Sequence, residues 1–347
     1  MDGQLQQIDD LLTRNELKKA EIAIAKLLRA DSSSQKRVQM LFRRARVRFL
    51  SARLEGALDD LSTIRNIEPS EFNTPPILEL LGNCYFARFE LASVGFTDRN
   101  DTLLAQQIYE QIIRDYPQYD NLGWVYYQLG RVWVTIGQTD AALKCFQQAL
   151  LTPSHVSALT AYCYERLAFI AFYEQRDLGS ALAFLNRAID TYPSREDQNW
   201  LVQVHLLKSR VLRGMRDHEK ALAAAEEALL LVSNNSGNKL ALSEALLATG
   251  ELLAELENRD KDVVAVLQQF IQTVKKPLGV DVTWSRVNEM LGNAFFNLGQ
   301  YEHAIESYHA VLQLNPDHPW ALSFHYRIAR SYYQQRAYNE AIRTIEH

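Results

Sequence analysis

The sequence predicts an all-α fold, an α-solenoid in which antiparallel helix hairpins stack in chain order. Two observations indicate it. A small residue is followed twelve positions later by alanine in several copies, such as Gly130 with Ala142 and Gly292 with Ala304. Apolar residues follow helical spacing, and no stretch of useful length alternates as a strand would. Because a single hairpin cannot bury its own apolar face, such units must pack against their neighbours.

Large apolar residues accompany the small ones at fixed distances. Trp133 and Phe146 follow Gly130 by three and sixteen positions, and the segment around Phe295 repeats this spacing. Small residues let two helices cross closely, while the large ones fill the space beside the crossing. The pattern resembles the tetratricopeptide repeat (TPR) family, whose 34-residue unit carries W-x2-L-G-x2-Y, then A-x3-F and a closing proline. The resemblance implies a right-handed α-solenoid.

The repeat register covers nearly the whole chain. Residues 1–37 hold helix-compatible apolar positions before a polar break, and we interpret them as a degenerate or capping N-terminal hairpin. Prolines such as Pro193 and Pro316 end the second helices, because proline cannot continue the helical hydrogen-bond ladder. About eight units follow in the predicted solenoid of residues 38–347: 38–71, 75–118, 123–156, 161–195, 201–236, 244–277, 285–318 and an incomplete 322–347.

The unit at 75–118 contains an insertion. Gly82 and Ala105 stand 23 positions apart instead of twelve, which places eleven additional residues between its two helices. The segment 92–101 is rich in turn-forming residues and contains Phe96 as its one large aromatic residue. We interpret the insertion as a loop in which Phe96 is a candidate contact to a partner. A tolerated spacer is the alternative, since longer surface loops cost little entropy.

Composition and charge exclude several classes of protein. The net charge of -5 opposes general nucleic-acid binding, which needs a surplus of lysine and arginine. A basic run between Lys36 and Arg53 is the local exception, and we expect it to pair with acidic neighbours such as Asp59 and Asp60. No signal-like start and no stretch of 18 uncharged apolar residues is present, so we expect a cytoplasmic chain without membrane insertion.

The sequence shows no recognisable catalytic motif. It has no phosphate-binding glycine loop, no Gly-x-Ser-x-Gly turn and no His-Glu-x-x-His motif. The cysteines Cys84, Cys145 and Cys163 fall at core-like helix positions without metal-ligand spacing, and we expect them to be reduced packing residues. The sequence therefore predicts no enzyme, no catalytic residue, no cofactor and no metal site.

A binding surface is predicted on the first helix of each hairpin. In proteins that this chain resembles, positions 2, 5 and 9 of that helix share one face and line a concave groove. Aromatic and arginine side chains carry much of the binding energy at protein interfaces. Packing between adjacent hairpins is the alternative role for the aromatic ones. The predicted groove residues are Trp124, Tyr127, Arg131, Tyr162, Glu165, Phe169 and His205.

One known use of the family fits this chain poorly. Some members grip the C-terminal carboxylate of a partner with lysine, asparagine and arginine on successive first helices. Asn83 and Asn293 match the asparagine, but Glu79 and Glu289 occupy the position that needs lysine. Because these glutamates would repel a carboxylate, we expect a ligand with apolar and some basic side chains instead.

Two functions remain open at this stage. The first is a non-enzymatic scaffold that binds a protein or peptide partner in the groove. The second is a sensor or regulatory arm of a larger enzyme or regulator whose effector domain lies beyond residue 347. The last predicted hairpin stops inside its second helix, without a closing proline or a polar cap, and we expect it to leave an apolar face open.

Overall fold

The structure is a computed structural model of the 347-residue chain. It describes residues 2–29, 33–92, 99–193, 198–233, 238–275, 277, 279 and 281–346. Within those ranges the regular elements are helices and no strand occurs. The predicted all-α fold of helix hairpins is confirmed.

The chain divides into two compact units, Met1–Leu167 and Ala168–His347. The first contains α1 (Asp2–Thr13), α2 (Leu17–Arg29), α3 (Ser34–Leu50), α4 (Leu54–Ile67), the short α5 (Pro69–Phe72), α6 (Pro75–Leu91), α7 (Arg99–Asp115), α8 (Leu122–Thr135) and α9 (Thr139–Leu151). Helix α10 (Leu159–Tyr173) contains the division. The second unit continues with α11 (Leu178–Thr191), α12 (Asn199–Gly214), α13 (His218–Ser233), α14 (Lys239–Glu255), α15 (Asp260–Thr273), α16 (Val282–Asn297), α17 (Tyr301–Leu314), α18 (Ala321–Gln334) and α19 (Tyr338–Glu346).

A short turn joins the two helices of most hairpins, and its next-to-last residue is left-handed. In most of these turns the amide that follows this residue bonds back to the end of the first helix, as from Arg53 N–H to Arg48 O and from Gln300 N–H to Phe295 O, both 2.8 Å. Such a bond caps the helix carbonyls and reverses the chain. The left-handed residues have φ between 55° and 77°: Asn15, Ala52, Gly137, Arg176, Arg216, Asn258, Gly299 and Arg336.

The length of the turn sets the spacing seen in the sequence. The three-residue turn at 136–138 accompanies a spacing of twelve between Gly130 and Ala142. The four-residue turn at 256–259 lengthens the equivalent spacing, from Gly250 to Val263, by one residue. Where the turn is one residue longer, a fixed spacing of twelve assigns the residues of the second helix to repeat positions that are wrong by one.

The close crossings pack as the small residues predict. A Cβ atom on Gly130 would lie 2.6 Å from Cε1 of Phe146, and one on Gly292 would lie 2.6 Å from Cε1 of Tyr308. Both rings are essentially inaccessible to solvent. Glycine is needed at these two positions because the ring of the facing helix occupies the space of a side chain.

Several arginines of the basic run pair with carboxylates of the first unit, and Asp60 is one of these partners, as the sequence predicts. Asp60 is 2% exposed. Its carboxylate forms ion pairs with Arg44, at an N–O distance of 2.5 Å, and with Arg48, at 3.0 Å. Two further arginines pair with acidic residues of the first hairpin: Arg43 with Asp9 and Arg53 with Glu21. Arg43 and Arg53 therefore tie the first two hairpins together, and Arg44 and Arg48 tie α3 to α4.

The three cysteine thiols are expected to react slowly in the folded chain. Cys84, Cys145 and Cys163 are buried and free, and burial raises their pKa values to about 12, about 11 and about 12. A raised pKa reduces the fraction of thiolate, which is the reactive form. Iodoacetamide should therefore label all three thiols in guanidinium chloride and very few in native buffer, as counted by mass spectrometry. Fast labelling of the native chain would contradict their packing role.

Candidate functional site

Three aromatic rings form a ladder on α8 and α10 within the first unit. Trp124 and Tyr127 are stacked, with ring centroids 5.1 Å apart and planes inclined by 25°. Tyr127 and Tyr162 follow at 6.0 Å and 33°. Tyr127 is only 7% exposed and also packs against Phe146 at 5.8 Å, whereas Trp124 and Tyr162 are half-buried. The middle ring therefore supports two outer rings that remain partly accessible.

The position of the ladder depends on how α8 begins. Gly123 lies one residue before Trp124, and its N–H donates to Pro153 O at 2.7 Å. A Cβ atom on Gly123 would lie 2.7 Å from Thr152 O and 2.9 Å from Pro153 O. The absence of a side chain lets the first turn of α8 approach the backbone that follows α9. This backbone contact fixes where Trp124 emerges.

Arg131 lies one helical turn after Tyr127 and is held by three contacts. Its Nη1 donates to Gln128 Oε1 at 2.9 Å, and its Nη2 forms an ion pair with Glu90. The guanidinium also lies 4.9 Å from the centre of the Phe86 ring, a cation–π geometry. These contacts restrain a cation beside the aromatic ladder.

Glu165 and Phe169 follow on α10. Glu165 is 8% exposed, and its carboxylate accepts two hydrogen bonds from Arg166 at 2.5 and 2.9 Å. Burial raises the pKa of Glu165, while the neighbouring Arg166 charge opposes that rise. Phe169, in the second unit, packs against Tyr173 at 4.5 Å between ring centroids. The Glu165 carboxylate is therefore occupied by its own neighbour.

His205 lies in a separate pocket of about 310 Å³ between α11, α12 and α13. The small residue where α12 crosses α13 is Ser209, twelve positions before Ala221. The predicted repeat boundary places this crossing position one residue too early. This register turns His205 toward Leu182 and Glu227, on the second helices. Burial lowers its pKa, and the nearby positive charge of Lys208 adds to that effect.

The comparison with known families agrees with the geometry. Family models match residues 292–335 as a TPR repeat, and residues 119–152 and 78–119 as tetratricopeptide repeats. The chain therefore contains tetratricopeptide repeats within residues 78–152 and 292–335. The segment 119–152 contains Trp124, Tyr127 and Arg131, so two of the three ladder rings lie within a recognised repeat.

Solved structures resemble this TPR protein over most of its length. The apo form of RapI is 13% identical, with 99% of this chain and 96% of that chain covered and a TM-score of 0.63. The apo form of the quorum sensor NprR from B. thuringiensis is 16% identical, with 90% and 86% covered and a TM-score of 0.60. The C-terminal part of a TPR repeat-containing protein from Cytophaga hutchinsonii is 15% identical, with 82% and 98% covered and a TM-score of 0.56. At these identities the likeness shows the fold alone, and no curated protein matches the sequence.

Asn83 and Asn293 match the asparagine with which some family members grip a C-terminal carboxylate. In this chain the two side chains bridge neighbouring helices. Asn83 Oδ1 accepts hydrogen bonds from the Tyr109 hydroxyl at 2.7 Å and from Gln128 Nε2 at 3.2 Å. Asn293 Oδ1 accepts one from the Tyr308 hydroxyl at 2.9 Å, so the arrangement recurs in the second unit. Sequence reasoning missed these bridges because the partners stand on other helices. Each of the two asparagines faces a tyrosine on the second helix of its hairpin, and this pairing is the signal that would have revealed the bridges.

Glu79 is likewise engaged inside the TPR protein. Its carboxylate accepts hydrogen bonds from the Tyr119 hydroxyl at 2.8 Å and from Asn121 Nδ2 at 3.0 Å. Burial raises the pKa of Glu79, and these two hydrogen bonds oppose the rise. Glu79 therefore fixes the segment that leads into α8.

Some predicted features lie elsewhere or outside the described part of the TPR chain. Phe96 falls outside the described residues. Across the described ranges, no group of three or more histidine, cysteine, aspartate or glutamate side chains is arranged to hold a metal ion. The described helices include none with both the length and the apolar character needed to cross a membrane. On the last hairpin, Tyr333, Ile342 and Ile345 are exposed.

Proposed function

We propose that this TPR protein is a non-enzymatic interaction scaffold, and that a peptide or protein segment binds along the face formed by α8 and α10. The ladder of Trp124, Tyr127 and Tyr162 carries the proposal. The outer two rings offer rigid apolar area with few rotatable bonds, which keeps the entropic cost of binding small. The buried middle ring holds them in place before a ligand arrives.

The ligand side chains that fit this face are mainly apolar. Glu79, one of the two glutamates that suggested a preference for basic groups, and Glu165 engage Tyr119 and Arg166 with their carboxylates. The Arg131 charge is balanced by an ion pair. Ring contacts would therefore supply most of the affinity, since large aromatic residues dominate the energetics of interfaces.

The test uses random octapeptides displayed on phage and selected against the full chain. Replacing Trp124 or Tyr162 by alanine should weaken binding of the selected peptide by about 1 to 4 kcal/mol. The melting temperature should change little, because both side chains are partly exposed. Fluorescence anisotropy measures the affinity, and circular dichroism measures the melting temperature. Trp320→Ala is the matched control, since Trp320 is 69% exposed and lies outside the ladder.

Two results would contradict this proposal. Binding that survives both Trp124→Ala and Tyr162→Ala would place the ligand elsewhere. Variants that melt much lower yet bind normally once folded would make the ladder a packing feature. Tyr127 is less suited to the test, because its burial makes any truncation change stability and binding together.

A second candidate function is a sensor or regulatory arm of a larger regulator. The likeness to the quorum sensor NprR over 90% of this chain favours it. A sensor must change state on binding, whereas a scaffold need not. Hydrogen exchange with and without the selected peptide distinguishes the two, because a sensor alters protection in helices that the peptide does not touch.

A further inference from the structure

A charged cleft of about 350 Å³ lies between the first helices α12 and α14 of the second unit. Small and aliphatic side chains make its floor: Ser209, Leu247, Ala248 and Leu252. Arginines of α12 and glutamates of α14 make its charged walls: Arg210, Arg213, Glu244 and Glu251. The cleft thus joins an apolar floor to walls of opposite sign.

Two bridges between the helices bound the cleft. Gln203 Nε2 donates to Glu244 Oε2 at 2.9 Å at one end. Arg213 pairs with Glu251 at 2.8 Å, and with Glu255, at the other end. Gln203 and Arg213 are ten residues apart on one helix, a rise of about 15 Å. An extended segment of about four or five residues fits that length.

Among the residues that the structure describes, not all charges of the cleft have a partner of opposite charge. Glu251 is neutralised by Arg213 and by Arg286 at 3.3 Å. Arg210 is exposed, and within the described ranges no carboxylate forms an ion pair with it. Glu244 accepts its hydrogen bond from a neutral amide, and among the described side chains no cation pairs with it. Arg210 and Glu244 therefore face the cleft without a paired counter-charge among the described residues.

We propose that the cleft binds an extended peptide segment with a basic and an acidic side chain three residues apart, the basic one on Glu244 and the acidic one on Arg210. This inference rests on the proposed peptide-binding function and adds a second site, whose ligand has a different chemistry. Arg210 lies seven residues beyond Gln203, the neighbour of Glu244, which is about 10 Å along the helix. In a polyproline II segment, residues i and i+3 point to the same side about 9 Å apart. The small Ser209 and Ala248 leave room for the peptide backbone.

The probe is a fluorescein-labelled, C-terminally amidated peptide that contains Lys-Pro-Pro-Glu. Its prolines favour the polyproline II conformation. Anisotropy titrations with the full chain compare it with Gln-Pro-Pro-Gln. We expect the charged peptide to bind about 5- to 10-fold more tightly at low salt, as two partly exposed ion pairs would give. The preference should shrink as salt is added, because salt screens exposed charges.

Charge reversal in the protein should change which peptide is preferred. Arg210→Glu should favour Lys-Pro-Pro-Lys, and Glu244→Lys should favour Glu-Pro-Pro-Glu. Two exposed residues of the same unit provide matched controls, Lys261→Glu and Glu257→Lys, which should keep the original preference. Should a reversal prevent folding, Arg210→Gln and Glu244→Gln remove the same charge and should each abolish the preference for one charged side chain.

The outcomes separate this inference from the proposed function. Equal binding of charged and neutral peptides, or a preference unchanged by the Arg210 and Glu244 variants, overturns the inference. If the phage-selected octapeptide still binds through Trp124 and Tyr162 in that case, the proposed function stands. If neither peptide class binds the chain, both fail.

Discussion

Replacing Phe146 by alanine is expected to lower the free energy of unfolding by about 3 to 5 kcal/mol. The ring is fully buried, fills the space that Gly130 leaves open and packs against Tyr127. Alanine would leave a cavity that the neighbours cannot close, since the facing glycine has no side chain to move into it. Urea denaturation followed by circular dichroism measures the loss.

Leu151→Ala is the control for this truncation. Leu151 stands on the same helix, α9, but is 78% exposed, so its removal should change stability by no more than about 0.5 kcal/mol. Equal losses for the two variants would mean that the crossing is not tightly packed. Because Tyr127 packs against Phe146, Phe146→Ala should also loosen the ladder and weaken binding of the selected octapeptide.

Gly123→Ala is expected to cost about 1 to 3 kcal/mol, although alanine is the better helix former. The new methyl group would meet two backbone oxygens, Thr152 O at 2.7 Å and Pro153 O at 2.9 Å. Backbone atoms cannot rotate away as a side chain can, so α8 must shift and strain the 2.7 Å hydrogen bond from Gly123 N–H to Pro153 O. The midpoint of urea unfolding measures the cost.

Gly3→Ala makes the same chemical change where space is open. A Cβ atom on Gly3, in α1, meets no other atom within 4 Å. Only the helix preference then acts, and stability should rise by up to about 1 kcal/mol. A loss in Gly3→Ala as large as that in Gly123→Ala would show that the clash at the start of α8 is not the cause.

Much of the fold could be predicted because each hairpin encodes its own crossing. Gly130 and Phe146 stand sixteen positions apart, and a fixed turn brings them together in every copy that keeps the turn length. The predicted repeat register was less accurate where the turn is one residue longer, and where the small residue at the crossing is serine. Ser209 marks the crossing of α12 in place of glycine, and His205 accordingly turns away from the predicted face.

The site was harder to predict than the fold, because several of its decisive contacts join different hairpins. The spacing places Trp124 and Tyr127 on one face, but the sequence does not show that Tyr127 is clamped between Phe146 and Tyr162. Nor does it show that Glu90 neutralises Arg131. Their role as binding residues stays a prediction until the alanine variants are measured.

The left-handed turns imply an order of events when the chain is made. Most of these turns close their helix with a bond between residues five apart, as from Arg53 to Arg48, so a hairpin needs only local closure to form. Proteins dominated by such short-range contacts fold quickly. Because the ribosome releases residues one by one, each hairpin can form and meet the preceding one before the next has been synthesised. Earlier hairpins thus serve as the template on which later ones assemble.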